Sequence, residues 1–452
     1  MGMSRSALRA CQISALGWVR LISRAQGTLR ALHLTTLNQA LWDLVKQQRG
    51  LEVLIIHCRP TLHHTPYLFA PMPHLQHFWG SNQLYEIGLL PQHRRLLWSP
   101  LQNELPKPTR LRFLAKSSDL PRLQSAEGLC FVRNSFRELP FLRYFHTRDG
   151  YSMMDDNSPC RSESRLETLF SLAEEPASFK HVPHLCRLGT NGEFLRQLNY
   201  YDEWAPLRTR MKALSVWNEV PPFLTGLHRW DSLHTLELWG NCGHDFVVRT
   251  PAVRKAKLSG SVFSHSLFHW SKLEELVIVN SCQKSFCVIP EWTRLKILYI
   301  DSPLLRKVCS LPEGGESPVA LEYLSVPFAQ SFDVAQTYTS WPKLKFLTIP
   351  HTVAKKAAAT LALFSQLRGL GVWCQERRCV LDYLAHHLSN LPQVLVLAER
   401  SVRLSIDPSV SSTIIRSFNP YDSPAVSAFS SPAARFLPTP ERSAFYVQVT
   451  LV

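Results

Sequence analysis

Apolar residues along this chain fall into a unit with leucine-like side chains at its first, fourth and sixth positions and mostly polar ones between them, the pattern LxxLxL. Four copies carry a Trp three residues ahead: Trp230-Leu233-Leu236-Leu238, Trp270-Leu273-Leu276-Ile278, Trp292-Leu295-Leu298-Ile300 and Trp341-Leu344-Leu347-Ile349. Positions four and six lie two residues apart, so in an extended strand both side chains point to one side. That side is the interior, and position one adds a third apolar contact where the chain bends into the strand. A single unit leaves this face wet, so neighbouring units must stack to bury it. With Val, Ile, Met or Phe allowed as well, starts fall at Leu29, Leu51, Leu75, Leu111, Leu129, Met211, Leu233, Val253, Leu273, Leu295, Leu321, Leu344, Leu367 and Val394. From Met211 to Leu367 the starts are twenty to twenty-six residues apart, the interval of a repeat array. The regularly recurring Trp residues belong to the stacked core.

Between these phrases the pattern turns helical, over 38–48, 354–367 and 380–391. In the last of these Leu381, Leu384, Leu388 and Leu391 make one apolar helix face. Pro73, Pro342 and Pro392 stand just ahead of strands, where they stop a preceding helix. The spacing therefore predicts four parts. Residues 1–146 carry degenerate repeats, and 147–182, with Asp155-Asp156-Asn157-Ser158-Pro159 and a Ser/Glu-rich run, form an exposed polar insertion without a repeat. Residues 183–404 hold the strong array, and 405–452 a Ser/Pro-rich tail whose segment 444–449 reads as a capping strand.

Composition fits a folded chain, with 45% hydrophobic and 19% charged residues and 12 Trp. The net charge is +15, and residues 1–150 hold nineteen Lys and Arg against eight Asp and Glu, so most of the excess sits in the first third. Such a field favours acidic partners, whether protein, nucleic acid or membrane surface. Most of these basic residues stand singly between apolar ones, as on a solvated face. No apolar run is long enough for a membrane span. The 11 Cys include no CxxC pair and read as reduced, buried thiols. With no N-x-S/T acceptor present, they place the chain in the cytoplasm or nucleus. Arg5, Arg9, Arg20, Arg24 and Arg30, with no acid before Asp43, match the composition of a mitochondrial transit peptide. The competing reading of 14–32 is the helix and strand that open the array. Met1-Gly2-Met3-Ser4-Arg5-Ser6 fits the myristoylation pattern, which has few fixed positions.

No phosphate loop, GxGxxG, GxSxG or HExxH is present, and no enzymatic activity or cofactor is expected. His57-Cys58, His63-His64, His74 and His77 concentrate potential metal ligands. Neighbours on a strand point to opposite faces, though, which works against tetrahedral convergence, and no metal is expected. If positions four and six face inward, positions three, five and seven face outward along a concave sheet. They place Trp217, Trp239, Tyr299, Tyr323, Phe346 and Trp373 there, with Glu237, Lys255, Lys257, Glu275 and Asp301 among them. Large aromatics on a wet face have no core to fill, and aromatics dominate binding hot spots. These residues are the expected partner-binding surface; the competing readings are contacts with a covering loop such as 147–182, or a shifted register.

The stretch Leu233-His234-Thr235-Leu236-Glu237-Leu238-Trp239-Gly240-Asn241-Cys242 resembles the leucine-rich-repeat consensus through its Asn position. The likeness extends over 29–397 and is most specific between 211 and 373. Variable repeat length, Trp or Pro before the strand, and Cys242 and Cys282 at one repeat position are similar to the irregular repeats of F-box proteins, especially fungal ones. This resemblance implies an α/β leucine-rich-repeat solenoid, with a curved parallel sheet on the concave side and helices and loops on the convex side. It also implies a non-enzymatic protein-protein interaction module, the substrate-recognition part of an F-box-type ubiquitin ligase adaptor, with ligase core subunits as further partners. An F-box is a helical module longer than the stretch before Leu29, and the one Leu-Pro-acid phrase of suitable form, Leu311-Pro312-Glu313, lies inside the array. The likeness therefore reaches target binding and stops short of ligase docking. The alternative is nucleic-acid or acidic-surface binding through the basic first third.

Overall fold

The computed structural model describes residues 15–25, 28–34, 38–56, 72, 74–80, 94–98, 114–115, 120–127, 130–131, 139–147, 165–171, 182–192, 195, 198, 202–217, 230–239, 250–259, 270–279, 282–310, 321–374, 378–382, 393–398, 403–405, 412–416 and 449–450. They belong to two compact units, Met1–Thr190 and Asn191–Val452.

Among the described residues most repeats enter their strand through a hydrogen-bonded turn, which explains why Trp precedes the first Leu by three. The Leu233 N–H donates to the Trp230 carbonyl at 3.2 Å, Leu273 to Trp270 at 3.0 Å, Leu295 to Trp292 at 2.9 Å and Leu344 to Trp341 at 3.1 Å. This is a β-turn bond between residues i and i+3. Repeats without Trp close the same turn with Met72, Leu120, Leu139, Val182, Thr250 or Phe364 in its place. A second bond pattern then locks one repeat to the next. The His234 carbonyl accepts from the N–H groups of Arg254 and Lys255 at 2.9 and 3.0 Å, and the Arg254 carbonyl from Glu274 and Glu275 at 2.7 and 3.0 Å. In the first unit Arg30 does the same for Glu52 and Val53 at 2.7 and 3.0 Å.

In the first unit, helix Ala15–Arg24 precedes strand β1 (Ala31–Leu34), the helix and strand expected over 14–32. Helix Gln39–Lys46 follows; Asn38 caps it by accepting from the Leu41 N–H at 2.9 Å, and Leu41, Trp42 and Val45 form its buried face. Next come β2 (Val53–Ile56), β3 (His77–Gly80), β4 (Arg95–Trp98), β5 (Leu114–Ala115), β6 (Ser125–Glu127), β7 (Cys130–Phe131), β8 (Tyr144–Thr147), β9 (Thr168–Ser171) and β10 (Arg187–Asn191). Strands β1, β2, β3, β4, β6, β8, β9 and β10 pair in that order, all parallel.

Two expectations change here. The starts at Leu111 and Leu129 lie outside the described residues, and the strands beside them, β5 and β7, pair with each other in a separate two-stranded sheet. The ladder runs instead through Leu123, Leu142, Leu166 and Leu185, all buried. Their sixth positions hold Gly128, Thr147, Ser171 and Thr190, so the apolar pattern does not register them. Strand β9 also lies within 147–182, so that part of the expected insertion is a repeat.

The second unit contains β11 (Ala213–Trp217), β12 (Thr235–Trp239), β13 (Lys255–Ser259), β14 (Glu275–Val279), β15 (Ser285–Val288), β16 (Ile297–Ile300), β17 (Lys307–Ser310), β18 (Tyr323–Ser325), β19 (Phe346–Pro350), β20 (Gly369–Cys374), β21 (Arg378–Val380), β22 (Gln393–Ala398), β23 (Arg403–Ser405), β24 (Ser412–Arg416) and β25 (Val449–Thr450). The parallel ladder runs β11, β12, β13, β14, β16, β18, β19, β20, β22, β24. Strand β25 adds to β24 antiparallel, covering an edge as a capping strand would; of the expected cap, 444–448 lie outside the described residues. Strand β24 falls inside the expected irregular tail and continues the ladder.

Inward positions one, four and six are buried in every described repeat from Leu233 to Leu344. Trp230, Trp270, Trp292 and Trp341 are buried with them. Thr250, in the Trp place of the Val253 repeat, accepts the Trp270 Nε1–H at 3.0 Å. The start expected at Val394 shifts by three residues, because Val394 pairs with Leu370, a fourth position. The helix expected over 380–391 also changes: Val380 ends strand β21, and 383–391 lie outside the described residues. Helix Val334–Ser340 and the short helices His351–Lys356 and Ala358–Leu361 return the chain elsewhere. Where helices and loops were expected, two side sheets stand as well, β15–β17 and β21–β23. Together, parallel register, repeat interval and inward stack constitute the leucine-rich-repeat fold.

Leu236→Ala should cost about 2–5 kcal/mol, as for a core leucine. Leu169→Ala in β9 should cost the same order if 165–171 is a repeat, against roughly 0.5 kcal/mol for a substitution in a surface insertion. Urea denaturation of both variants measures the difference.

Candidate interaction surface

Because the strands share one register, outward side chains from successive repeats form rows. The third positions align Thr235, Lys255, Glu275, Ile297, Tyr323, Phe346 and Gly369. The fifth positions align Ser215, Glu237, Lys257, Val277, Tyr299, Ser325, Thr348 and Gly371. Charged residues fall on β12–β14 in both rows, the aromatic ones on β16 (Tyr299), β18 (Tyr323) and β19 (Phe346), and both rows end in glycine on β20.

The charged end is cross-linked between strands. Ser215 Oγ donates to Glu237 Oε2 at 2.8 Å, and Lys257 Nζ stands 3.4 Å from Glu237 Oε1. Lys255 Nζ lies 2.9 Å from Glu275 Oε2. The Lys255 side chain is 41% exposed and that of Glu275 3%, so the pair reaches from solvent into the face. Burial pushes the Glu275 carboxyl above the usual carboxylate range; the Lys255 hydrogen bond and charge pull it back, and the Glu274 charge adds to the rise. Glu275 Oε1 is buried without a hydrogen-bond partner.

At the aromatic end the Tyr323 and Phe346 rings lie 6.1 Å apart, and the Tyr323 hydroxyl stands 3.5 Å from Thr348 Oγ1. Phe346 is 38% exposed. Beside it Gly369 offers no side chain, and at Gly371 a Cβ would run into Thr348. Gly189 plays the same part in the first unit, where the Phe170 ring fills the place of its Cβ.

The eleven expected surface residues divide three ways. Lys255, Glu237, Tyr323 and Phe346 are at least partly open. Lys257, Glu275, Tyr299, Asp301 and Trp373 lie on the outward side yet are buried, at 4%, 2%, 1%, 7% and 4% exposure. The expectation that outward means wet fails for these five. Strands about 4.8 Å apart hold each outward stem between its row neighbours, and Phe328 packs edge-on against Trp373 at 5.6 Å. Trp217 and Trp239 end β11 and β12, and their side chains lie outside the described residues. Ser215, Phe328 and Thr348 were missed; Ser215 and Thr348 occupy fifth positions and were findable by that rule, whereas Phe328 lies in a loop.

Of the His and Cys residues weighed as potential metal ligands, His57, Cys58, His63 and His64 lie outside the described residues. Among the described residues no three His, Cys, Asp or Glu are grouped to hold a metal, and no helix is long and apolar enough to cross a membrane.

No protein-family model matches the chain, and no curated protein matches it in sequence. Solved structures similar to it include an internalin from Listeria monocytogenes, at 12% identity over 90% of this chain and 94% of that chain, with a TM-score of 0.29. A TDR receptor is 13% identical over 90% of this chain and 69% of its own, with a TM-score of 0.32. The leucine-rich-repeat ectodomain of the plant membrane receptor kinase GASSHO1/SCHENGEN3 from Arabidopsis thaliana is 13% identical over 86% of this chain and 46% of its own, with a TM-score of 0.28. Likeness at this level carries no functional argument, and the fold rests on the strand register itself.

The raised Glu275 pKa sets a direction for stability. The folded form holds its proton to higher pH than the unfolded chain, so this stability is present in full below the unfolded pKa and is lost as pH rises through the folded one. Urea midpoints measured upward from about pH 4, near the unperturbed glutamate value, should show this fall in the native chain and a flatter profile in Glu275→Gln. Identical profiles would refute the assignment.

Proposed function

We propose that the chain is a non-enzymatic protein-binding scaffold whose partner docks on the outward face of β12–β19. The observation that carries this reading is the exposed Phe346 ring beside Tyr323, three repeats along the same row from Glu275 and four from Lys255. An aromatic anchor on one row with fixed charges supplies contact area and orientation together. The buried outward residues, Tyr299 and Trp373 among them, stiffen this face, while Lys255, Glu237, Tyr323 and Phe346 make the contact.

The resemblance to F-box repeat proteins supports a finer version, in which the bound protein is the target of a ubiquitin ligase adaptor acting in the cytoplasm or nucleus. Nucleic-acid or acidic-surface binding through the basic first third has less support, because Arg30 and Arg143 of that unit stand 3.5 and 3.9 Å from Glu52 and Glu167.

Affinity capture with mass spectrometry tests both levels. Phe346→Ala should weaken capture of the main partner at least tenfold, as loss of about 1.4 kcal/mol or more at a hot spot would. Lys255→Glu should slow association with a steeper salt response than the aromatic change. An unchanged partner set in folded Phe346→Ala would sink the docking surface, and absence of ligase core subunits from every capture would sink the adaptor reading alone.

A further inference from the structure

Strands β15 and β17 occupy the return limbs of the repeats that start at Leu273 and Leu295, outside the main ladder. They pair in parallel, and Cys287 is the register partner of Cys309. The two thiols lie 22 residues apart in sequence, with their sulfurs 3.2 Å apart. Cys287 is half-buried and Cys309 is buried, between limbs whose Phe286, Val288 and Val308 are also buried. Neighbouring strands set their Cα atoms about 4.8 Å apart, inside the roughly 4.4–6.8 Å that a disulfide spans. A disulfide sets its sulfurs at about 2.05 Å, and the thiol pair already stands at 3.2 Å.

We propose that Cys287 and Cys309 are a redox-active dithiol that closes to a disulfide across two successive repeats, with a small-molecule disulfide such as oxidised glutathione as its co-reactant. The more accessible Cys287 thiolate attacks one glutathione sulfur; the glutathione disulfide bond breaks and one glutathione thiolate leaves. The Cys309 thiolate then attacks Cys287 Sγ, displacing the second glutathione thiolate. The two protein thiol protons end on the two glutathiones, so the dithiol is oxidised by two electrons and glutathione disulfide is reduced by two. The bond ties one return limb to the next at the point where side-chain register has already placed the sulfurs in contact.

The full-length native protein, equilibrated in buffers of increasing oxidised-to-reduced glutathione ratio, quenched by alkylation and peptide-mapped, tests this. The expected result is a Cys287–Cys309 linked peptide that grows with the oxidised share, while the exposed Cys282 carries only glutathione or the alkylating group. Cys309→Ser should instead trap glutathione on Cys287. If that variant does not fold, the native map still decides. Absence of the linked peptide at every ratio overturns the proposal, as does a native chain that keeps glutathione on Cys287.

Discussion

In most described repeats one carbonyl, at the position just before the strand, accepts two N–H groups of the following repeat, and the faces of each ladder depend on it. Side chains alternate with a period of two, so a slip of one residue would carry every inward Leu to solvent. Burying a Leu side chain is worth about 1.5–3 kcal/mol, against roughly 0.5–1.5 kcal/mol net for a hydrogen bond. The apolar stack therefore supplies most of the stability. The paired donors, Arg254 with Lys255 on His234 and Glu274 with Glu275 on Arg254, fix which residue faces which.

This division explains what the sequence shows and what it hides. Trp-x-x-Leu is legible because its spacing is a turn and both ends are buried, as at Trp292 and Leu295. The repeats at Leu142, Leu166 and Leu185 are hidden because backbone bonds hold their strands while the sixth position is polar; Thr190 sits there fully buried. The Val394 start was misplaced because Val394, Val396 and Leu391 offer apolar residues in two registers, and only the pairing with Leu370 decides between them. For the candidate site, the side of the sheet was readable from parity alone. Exposure was not, because it depends on the size of the neighbours in the row: Val277 between Lys257 and Tyr299 is wholly buried, whereas Phe346 beside Gly369 stands open.

Charge along the ladder has two different consequences. At the second positions Arg254–Glu274 at 3.7 Å and Lys345–Glu322 at 3.2 Å are pairs of exposed side chains, worth about 0–1 kcal/mol each. On the outward face Lys255–Glu275 joins an exposed cation to a carboxyl buried by its neighbours. There desolvation opposes the charge, and the folded state tolerates Glu275 because Lys255 remains beside it.

The same register accounts for the return limbs. The register that aligns Glu237 with Lys257 on the outward face of two repeats aligns Cys287 with Cys309 on the return limbs of two later ones, since a parallel array places equivalent positions side by side. Neither pair has any relation in sequence beyond recurring at one repeat position. A carboxylate-ammonium contact and a sulfur-sulfur contact thus arise from one constraint, and a repeat inserted or lost between them would separate each pair without disturbing the leucine stack. Side-chain pairs that span two repeats are for this reason more informative about function than any residue of the core, because stacking alone does not require them.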